Sequence, residues 1–289
     1  MKNMKLATKL LLAFLAVGLI PFSIIGFSSL SSSSEALSHA AFNELKAVRE
    51  IKKGQVEEYF ENCQKDMQSL LETVHVLENE AEAKLSTVQD LKRAQLEDYF
   101  SARRSDVSVL AANDALKRAL QDFEMAFAED GSRVDGPAWQ TAVKEHGAWF
   151  EKYERDYGYY DLFLISKGGD VLYSVERESD LGENLIRGDL SDSSLAKCID
   201  ECAEGRVSIQ DYRSYAPSGG KQAAFIAAPV RAEGGRIDGY VALQLPKEPI
   251  NEIVQKREGM GESGETYLVG LQDGRSEFRS DMLTMGDGK

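Results

Sequence analysis

The sequence predicts an α+β protein in three consecutive parts: a transmembrane helix, a long α-helical stalk able to dimerise, and a module built on an antiparallel five-stranded sheet. Three observations carry this. From Leu10 to Ser34 no side chain is ionisable. Over residues 31–130 apolar side chains recur at helical steps, within a repeat whose period is 40 residues. From Tyr157 onward the pattern changes to short β-branched and aromatic runs separated by glycine-rich turns.

The apolar part of the charge-free stretch, residues 10–30, would extend ~30 Å as a helix at ~1.5 Å per residue, which matches the hydrocarbon thickness of a bilayer. Lys2, Lys5 and Lys9 precede it, and the first charge after it is Glu35. This excess of cations keeps residues 1–9 cytoplasmic and places the remainder beyond the inner (cytoplasmic) membrane, in the periplasm or extracellular space. A cleaved secretory signal shares the basic start, but its apolar core runs ~7–15 residues and ends at a small-residue cleavage site. Phe27, Leu30 and the serines at 31–34 do not supply one. Pro21 fits the span, since prolines are tolerated in membrane helices.

Composition narrows the function classes. The chain carries 34 Lys and Arg against 48 Asp and Glu, a formal charge of −14. Nucleic acid is therefore an unsuitable partner, because a phosphate backbone needs clustered cations. Cys63, Cys198 and Cys202 are too few for a disulfide framework. Cys198 and Cys202 lie four apart in a helix-like segment, where a bridge is conceivable but strained. His39, His75 and His146 stand without cysteine or carboxylate partners at ligand spacing, so neither a metal nor a cofactor is expected. No nucleophile elbow, zinc-protease motif or Walker loop occurs, and the chain reads as a binding protein, not an enzyme. The glycine-rich run at 259–265 lacks the dinucleotide spacing and reads as a linker.

The repeat relates residues 48–70 to residues 88–110. Val48/Val88, Lys52/Lys92, Gln55/Gln95, Glu57/Glu97, Tyr59/Tyr99, Phe60/Phe100, Asp66/Asp106 and Leu70/Leu110 are identical pairs. A shift of 40 residues is close to eleven turns, so both copies present nearly the same face on an unbroken helix. No proline occurs between Pro21 and Pro137, and Gly54 is the only glycine between Gly26 and Gly131. Two arrangements compete over residues 31–130: one continuous helix, or a helical hairpin turning within residues 79–86. The apolar stripe is either a packing face or a face for a twin in a homodimer, and one stripe can serve both.

Beyond the stalk, residues 131–250 hold the sheet. Strands are expected at 159–165 and 171–175 around the S-K-G-G-D turn, then at 207–215, 222–230 and 239–245, with a short helix over 192–202 ended by Gly205. Five antiparallel strands with a helix after the first hairpin form a PAS-like layout. Pairing Tyr215 with Gln222 across the P-S-G-G turn would put Tyr212 on the same side as Phe225, and Asp211 and Tyr215 on the other with Ala224 and Ile226. Small residues such as Ala227 leave room beside these aromatics, and Tyr160, Asp161 and Tyr173 could complete either wall. The eight residues Tyr160, Asp161, Tyr173, Asp211, Tyr212, Tyr215, Phe225 and Ala227 are thus candidate ligand-binding residues, with ordinary sheet core as the alternative for each. Asp211 would suit a ligand amine.

Specific runs then carry a resemblance. K-L-L-L-A-F-L-A-V-G-L-I-P-F-S-I-I-G followed by A-F-N-E-L-K-A-V-R-E-I-K-K resembles the start of bacterial methyl-accepting chemotaxis proteins. G-Y-Y-D-L-F-L-I, A-A-F-I-A-A-P-V, G-Y-V-A-L-Q-L-P and G-E-S-G-E-T-Y-L-V-G resemble the Cache-type extracytoplasmic sensor domains that such receptors carry. The resemblance implies a membrane chemoreceptor whose Cache domain binds a small molecule and passes a helical signal to a cytoplasmic output. A sensor front end of a histidine kinase or nucleotide cyclase is the alternative. It also implies that residues 251–289, whose strand, D-G turn and strand echo 159–175, open a second, truncated Cache module.

Overall fold

The computed structural model describes residues 5–261, 263–272 and 274–283. Lys2 of the basic N-terminus, Glu262 of the linker, Asp273 of the D-G turn and residues 284–289 lie outside the described residues. The chain divides into two compact units, Met1–Glu80 and Ala81–Lys289.

The first unit is helical from Leu6 and belongs to α1 (Leu6–Ala112), whose only internal proline is Pro21. Residues 79–86 remain helical, so the hairpin alternative does not occur. The apolar side chains between Leu37 and Leu77 are exposed. One helix among the described residues is long and apolar enough to cross a membrane, and its apolar window is not buried.

In the second unit, α1 ends where Asn113 turns extended (φ −68°, ψ 127°). The Asn113 carboxamide oxygen accepts from the amides of Ala115 (2.8 Å) and Leu116 (3.4 Å) and starts α2 (Asp114–Glu129). The stretch expected as one helical region to residue 130 is therefore interrupted at a side-chain cap. The start of α3 (Pro137–Tyr157) is held by the Asp130 carboxylate, which accepts from the amides of Ala138 (3.3 Å) and Trp139 (2.7 Å). Gly158 ends it with φ 70°, a left-handed conformation that glycine adopts without strain.

Five strands follow as one antiparallel sheet in the order β2-β1-β5-β4-β3: β1 (Asp161–Ser166), β2 (Val171–Ser174), β3 (Ser208–Ser214), β4 (Gln222–Arg231) and β5 (Ile237–Leu245). Each lies within two residues of its expected position. Leu164, Ile226, Ala228, Val241 and Leu243 face a layer formed by α2, α3 and the end of α1, with Phe123, Trp139 and Phe150 at its centre. Phe163, Ile165, Phe225, Ala227 and Ala242 face the opposite way, under α4 (Ser194–Cys202) and the loop before it. The sheet is thus buried on both faces, which explains strands that read as nearly unbroken apolar runs.

Beyond β5, α5 (Glu248–Val254) leads to a hairpin of β6 (Val269–Gln272) and β7 (Arg275–Phe278). The strand pair expected here is present.

Candidate functional site

The second face of the sheet becomes polar toward the start of β1 and the end of β5. Asp161 is fully buried, and one carboxylate oxygen accepts from the amides of Leu162 (2.6 Å), Val175 (2.9 Å) and Glu176 (3.2 Å). The other accepts from the Ser174 hydroxyl at 2.9 Å. Residues 180–185 run along the outside of β2, tied by Gly182 N to Val171 O (2.9 Å), Val171 N to Glu183 O (2.9 Å) and Leu185 N to Gly169 O (2.8 Å). This places Asp180, also fully buried, against the sheet, where its Oδ2 accepts from the Tyr215 hydroxyl at 2.8 Å. Tyr215 in turn rests edge-on against Phe225, with centroids 4.8 Å apart.

A polar chain extends from there to the surface. Gln244 donates to the Ser218 hydroxyl (3.2 Å), Ser218 donates to Glu178 (2.7 Å), and the Tyr160 hydroxyl donates to the same carboxylate (3.0 Å). Asp180 Oδ1 and Gln244 Oε1 are buried acceptors without a hydrogen-bond partner among the described residues. Tyr160, Ser218 and Gln244 also line a cleft of about 840 Å³, whose other walls include Lys221, Lys247 and Phe278. Clefts of this size accept small ligands, and an unpartnered buried acceptor on a residue lining one, as Gln244 Oε1 is, is costly unless something donates to it.

Electrostatics sharpen the character of this site. Burial pushes the Asp161 carboxyl up to about 7, against the pull of the Ser174 hydroxyl and the amides; the neighbouring Asp180 charge adds to the rise. Burial likewise pushes Asp180 up to about 6, opposed by the Tyr215 hydroxyl. The Tyr215 phenol is driven well above its ordinary value, first by burial and then by Asp180. No described lysine, arginine or histidine forms an ion pair with Asp161 or Asp180. Two buried carboxylates without a countercharge favour a positively charged visitor.

The structure divides the candidate residues. Tyr215, Phe225 and Ala227 belong to the second face, where the Ala227 carbonyl meets Cys202 Sγ at 3.2 Å under α4; Asp161 pairs with Gln244 at the end of that sheet, and Tyr160, just before β1, is partly exposed and lines the cleft. Tyr212 and Tyr173 belong to the helical face: Tyr212 donates to the Pro246 carbonyl (2.8 Å), and Tyr173 sits between Phe123 (4.9 Å) and Phe150 (5.2 Å). The expected grouping of Tyr212 with Phe225, and of Tyr215 with Ala224 and Ile226, is therefore corrected. Ser214 pairs with Gln222, one residue short of the expected register, and a bulge between Gln210 and Arg213 moves the remainder one further. A one-residue slip exchanges every side chain between faces. Asp211 lies on that bulge, half exposed, and receives Arg279 Nε at 2.8 Å, so its charge is already met.

Asp180, Ser218 and Gln244 were not anticipated. Gln244 carried a signal, as the one amide inside the apolar run Y-V-A-L-Q-L; Asp180 lies in a loop whose path no pattern discloses. The histidines are a further correction. His146 Nε2 meets Asp122 Oδ2 at 2.8 Å, with Glu145 close by, and His75 lies 3.4 Å from Glu78. The His146 partner comes from 24 residues earlier, across the α2–α3 contact. Cys198 and Cys202 are free and buried.

No protein-family model matches the chain, and no curated protein matches it. Solved structures do. The sensor domain of the V. cholerae histidine kinase DctB is 17% identical, over 63% of this chain and 61% of that one, with a TM-score of 0.45. The ligand-binding domain of the Campylobacter jejuni chemoreceptor Tlp3, in complex with 4-methylisoleucine, is 14% identical over 61% of this chain and 64% of that one, with a TM-score of 0.41. The E. coli DcuS sensor domain is 14% identical over 55% of this chain and 97% of that one, with a TM-score of 0.38. The chain spans less than two thirds of the length of the first two.

Proposed function

We propose that this chain is the extracytoplasmic sensing part of a membrane receptor of the methyl-accepting chemotaxis type. Its sheet is a Cache module that captures a small molecule bearing a positively charged group. The observation that carries the ligand class is the pair of buried carboxylates, Asp161 and Asp180, without an ion-pair partner among the described residues, on the sheet face whose Gln244, paired with Asp161, lines the cleft. The module acts by binding, not by catalysis. The apolar span at residues 10–30 anchors it in the inner membrane as a homodimer, and the bound molecule biases two states of the helix that leaves the membrane. The β6–β7 hairpin opens a second module of the same kind: Tyr267 precedes β6 by two residues, as Tyr159 precedes β1. Supporting this reading are the sequence runs that resemble chemotaxis receptors, the apolar span near the N-terminus and the doubly covered five-stranded sheet.

The test is a thermal-shift screen of the full-length protein in detergent, using matched sets of primary amines, neutral analogues and carboxylates. Amines should raise the melting temperature of the wild type and leave the Asp180→Asn variant unmoved. Stabilisation by carboxylates alone, or equal shifts in both proteins, would overturn the assignment of ligand class.

A further inference from the structure

A second polar cluster belongs to the helical layer and has no part in the cleft. Asp122 comes from α2, and Glu145 and His146 come from α3. His146 Nε2 stands 2.8 Å from Asp122 Oδ2, and the imidazole lies 6.2 Å, centroid to centroid, from Phe123 at the centre of the layer. One donor atom from each of Asp122, Glu145 and His146 falls within 4.8 Å of the other two. The His146 side chain is 16% exposed, that of Asp122 is 40% exposed, and Glu145 is open to solvent, so the cluster is held from one side and reachable from the other. Among the described residues no lysine or arginine forms an ion pair with Asp122 or Glu145.

A hydrogen bond to Asp122 is enough to satisfy a half-buried imidazole. It gives no reason for a second carboxylate to converge on the same point, where the two negative charges repel each other unless a cation stands between them.

We propose that Asp122, Glu145 and His146 bind a divalent transition-metal ion, with Zn²⁺ suited to one imidazole nitrogen and two carboxylate oxygens. Ligand atoms ~2.0–2.2 Å from such an ion lie about 3–4 Å from one another. Rotation of the exposed Glu145 side chain brings the triangle to that size, His146 and Asp122 being already in contact. The two carboxylates neutralise the ion, and the fourth tetrahedral position is left to water. Bound metal ties α2 to α3, which are otherwise linked in sequence through residues 130–136, and so stiffens the layer that covers one face of the sheet. Because the imidazole must be neutral to coordinate, affinity falls as His146 takes up a proton.

The test uses the full-length protein in detergent, stripped with a chelator and titrated with Zn²⁺ by calorimetry and by thermal shift. Mg²⁺ serves as the hard cation that has little use for an imidazole. The wild type is compared with Glu145→Gln, with His146→Gln, and with a Cys63→Ser/His75→Ala double variant that removes the exposed thiol and the His75–Glu78 pair. A single saturable site is expected, with the melting temperature raised by about 5 °C at about a hundredfold excess over Kd. Affinity should fall at least about tenfold in Glu145→Gln and His146→Gln, stay unchanged in the double variant, and weaken about tenfold between pH ~7.5 and pH ~5.5. Since Glu145 is exposed, its variant decides the matter even if His146→Gln does not fold. Absence of saturable Zn²⁺ binding, equal affinity in Glu145→Gln, loss of binding in the double variant, or an equal response to Mg²⁺ would each overturn the proposal.

Discussion

Asp180 is the residue on which the ligand assignment turns. Its buried carboxyl titrates at about 6 and that of Asp161 at about 7, both above the ~3.9 of a free aspartate. The folded state therefore holds protons that the unfolded chain has lost between pH ~4 and these values. Stability is present below that window and declines as pH rises through it. The melting temperature of the ligand-free protein should thus be higher at pH 5 than at pH 8. Asp180→Asn, which keeps the shape and removes the charge, should flatten part of that slope and leave the variant more stable than the wild type at pH 8. A cationic ligand requires the opposite protonation state, so its affinity should increase from pH 5 to pH 8, as titration calorimetry would show. Residue type alone made Tyr215, Phe225 and Asp161 visible as wall candidates. It left Asp180 unseen, since its placement depends on backbone bonds of the 180–185 segment to Val171 of β2 and to Gly169 in the turn before it.

Among the elements, strand positions were legible because each is a short apolar run closed by glycine or proline turns. Register was not. The pairing of Ser214, rather than Tyr215, with Gln222 leaves no mark in the pattern, yet it decides that Tyr212 belongs with the helices and Tyr215 with the carboxylates. Helix limits depend on single side chains. Asn113→Ala removes the cap of α2 and should cost about 1 kcal/mol in denaturant unfolding. Gly239 is a tighter constraint: a Cβ there would lie 2.6 Å from the Ile165 carbonyl oxygen and 3.0 Å from Leu120 Cδ2. Gly239→Ala should therefore cost about 1–3 kcal/mol, by forcing α2 away from the junction of β1 and β5. Full stability in that variant would show that α2 yields freely.

For the whole molecule, the order of parts was readable from composition: a charge-free span, a helical repeat, then strands. What the repeat does was not, because equal sequence in both copies gives no hint that one is covered and the other exposed. Lys92→Met keeps the length and removes the ammonium, stranding the carbonyls of Val254 and Lys256. It should lower stability by about 1–3 kcal/mol, with hydrogen exchange increasing at the end of α5 before the sheet is affected.

The same lysine has a mechanical meaning. Gln244 sits at the cleft near the end of β5, Tyr212 grips the Pro246 carbonyl just beyond, and α5 begins at Glu248 with its far end fastened to Lys92. Nothing slack separates these fixtures, so a guest that tugs on Gln244 also tugs, through one short lever, on the shaft to which Lys92 belongs.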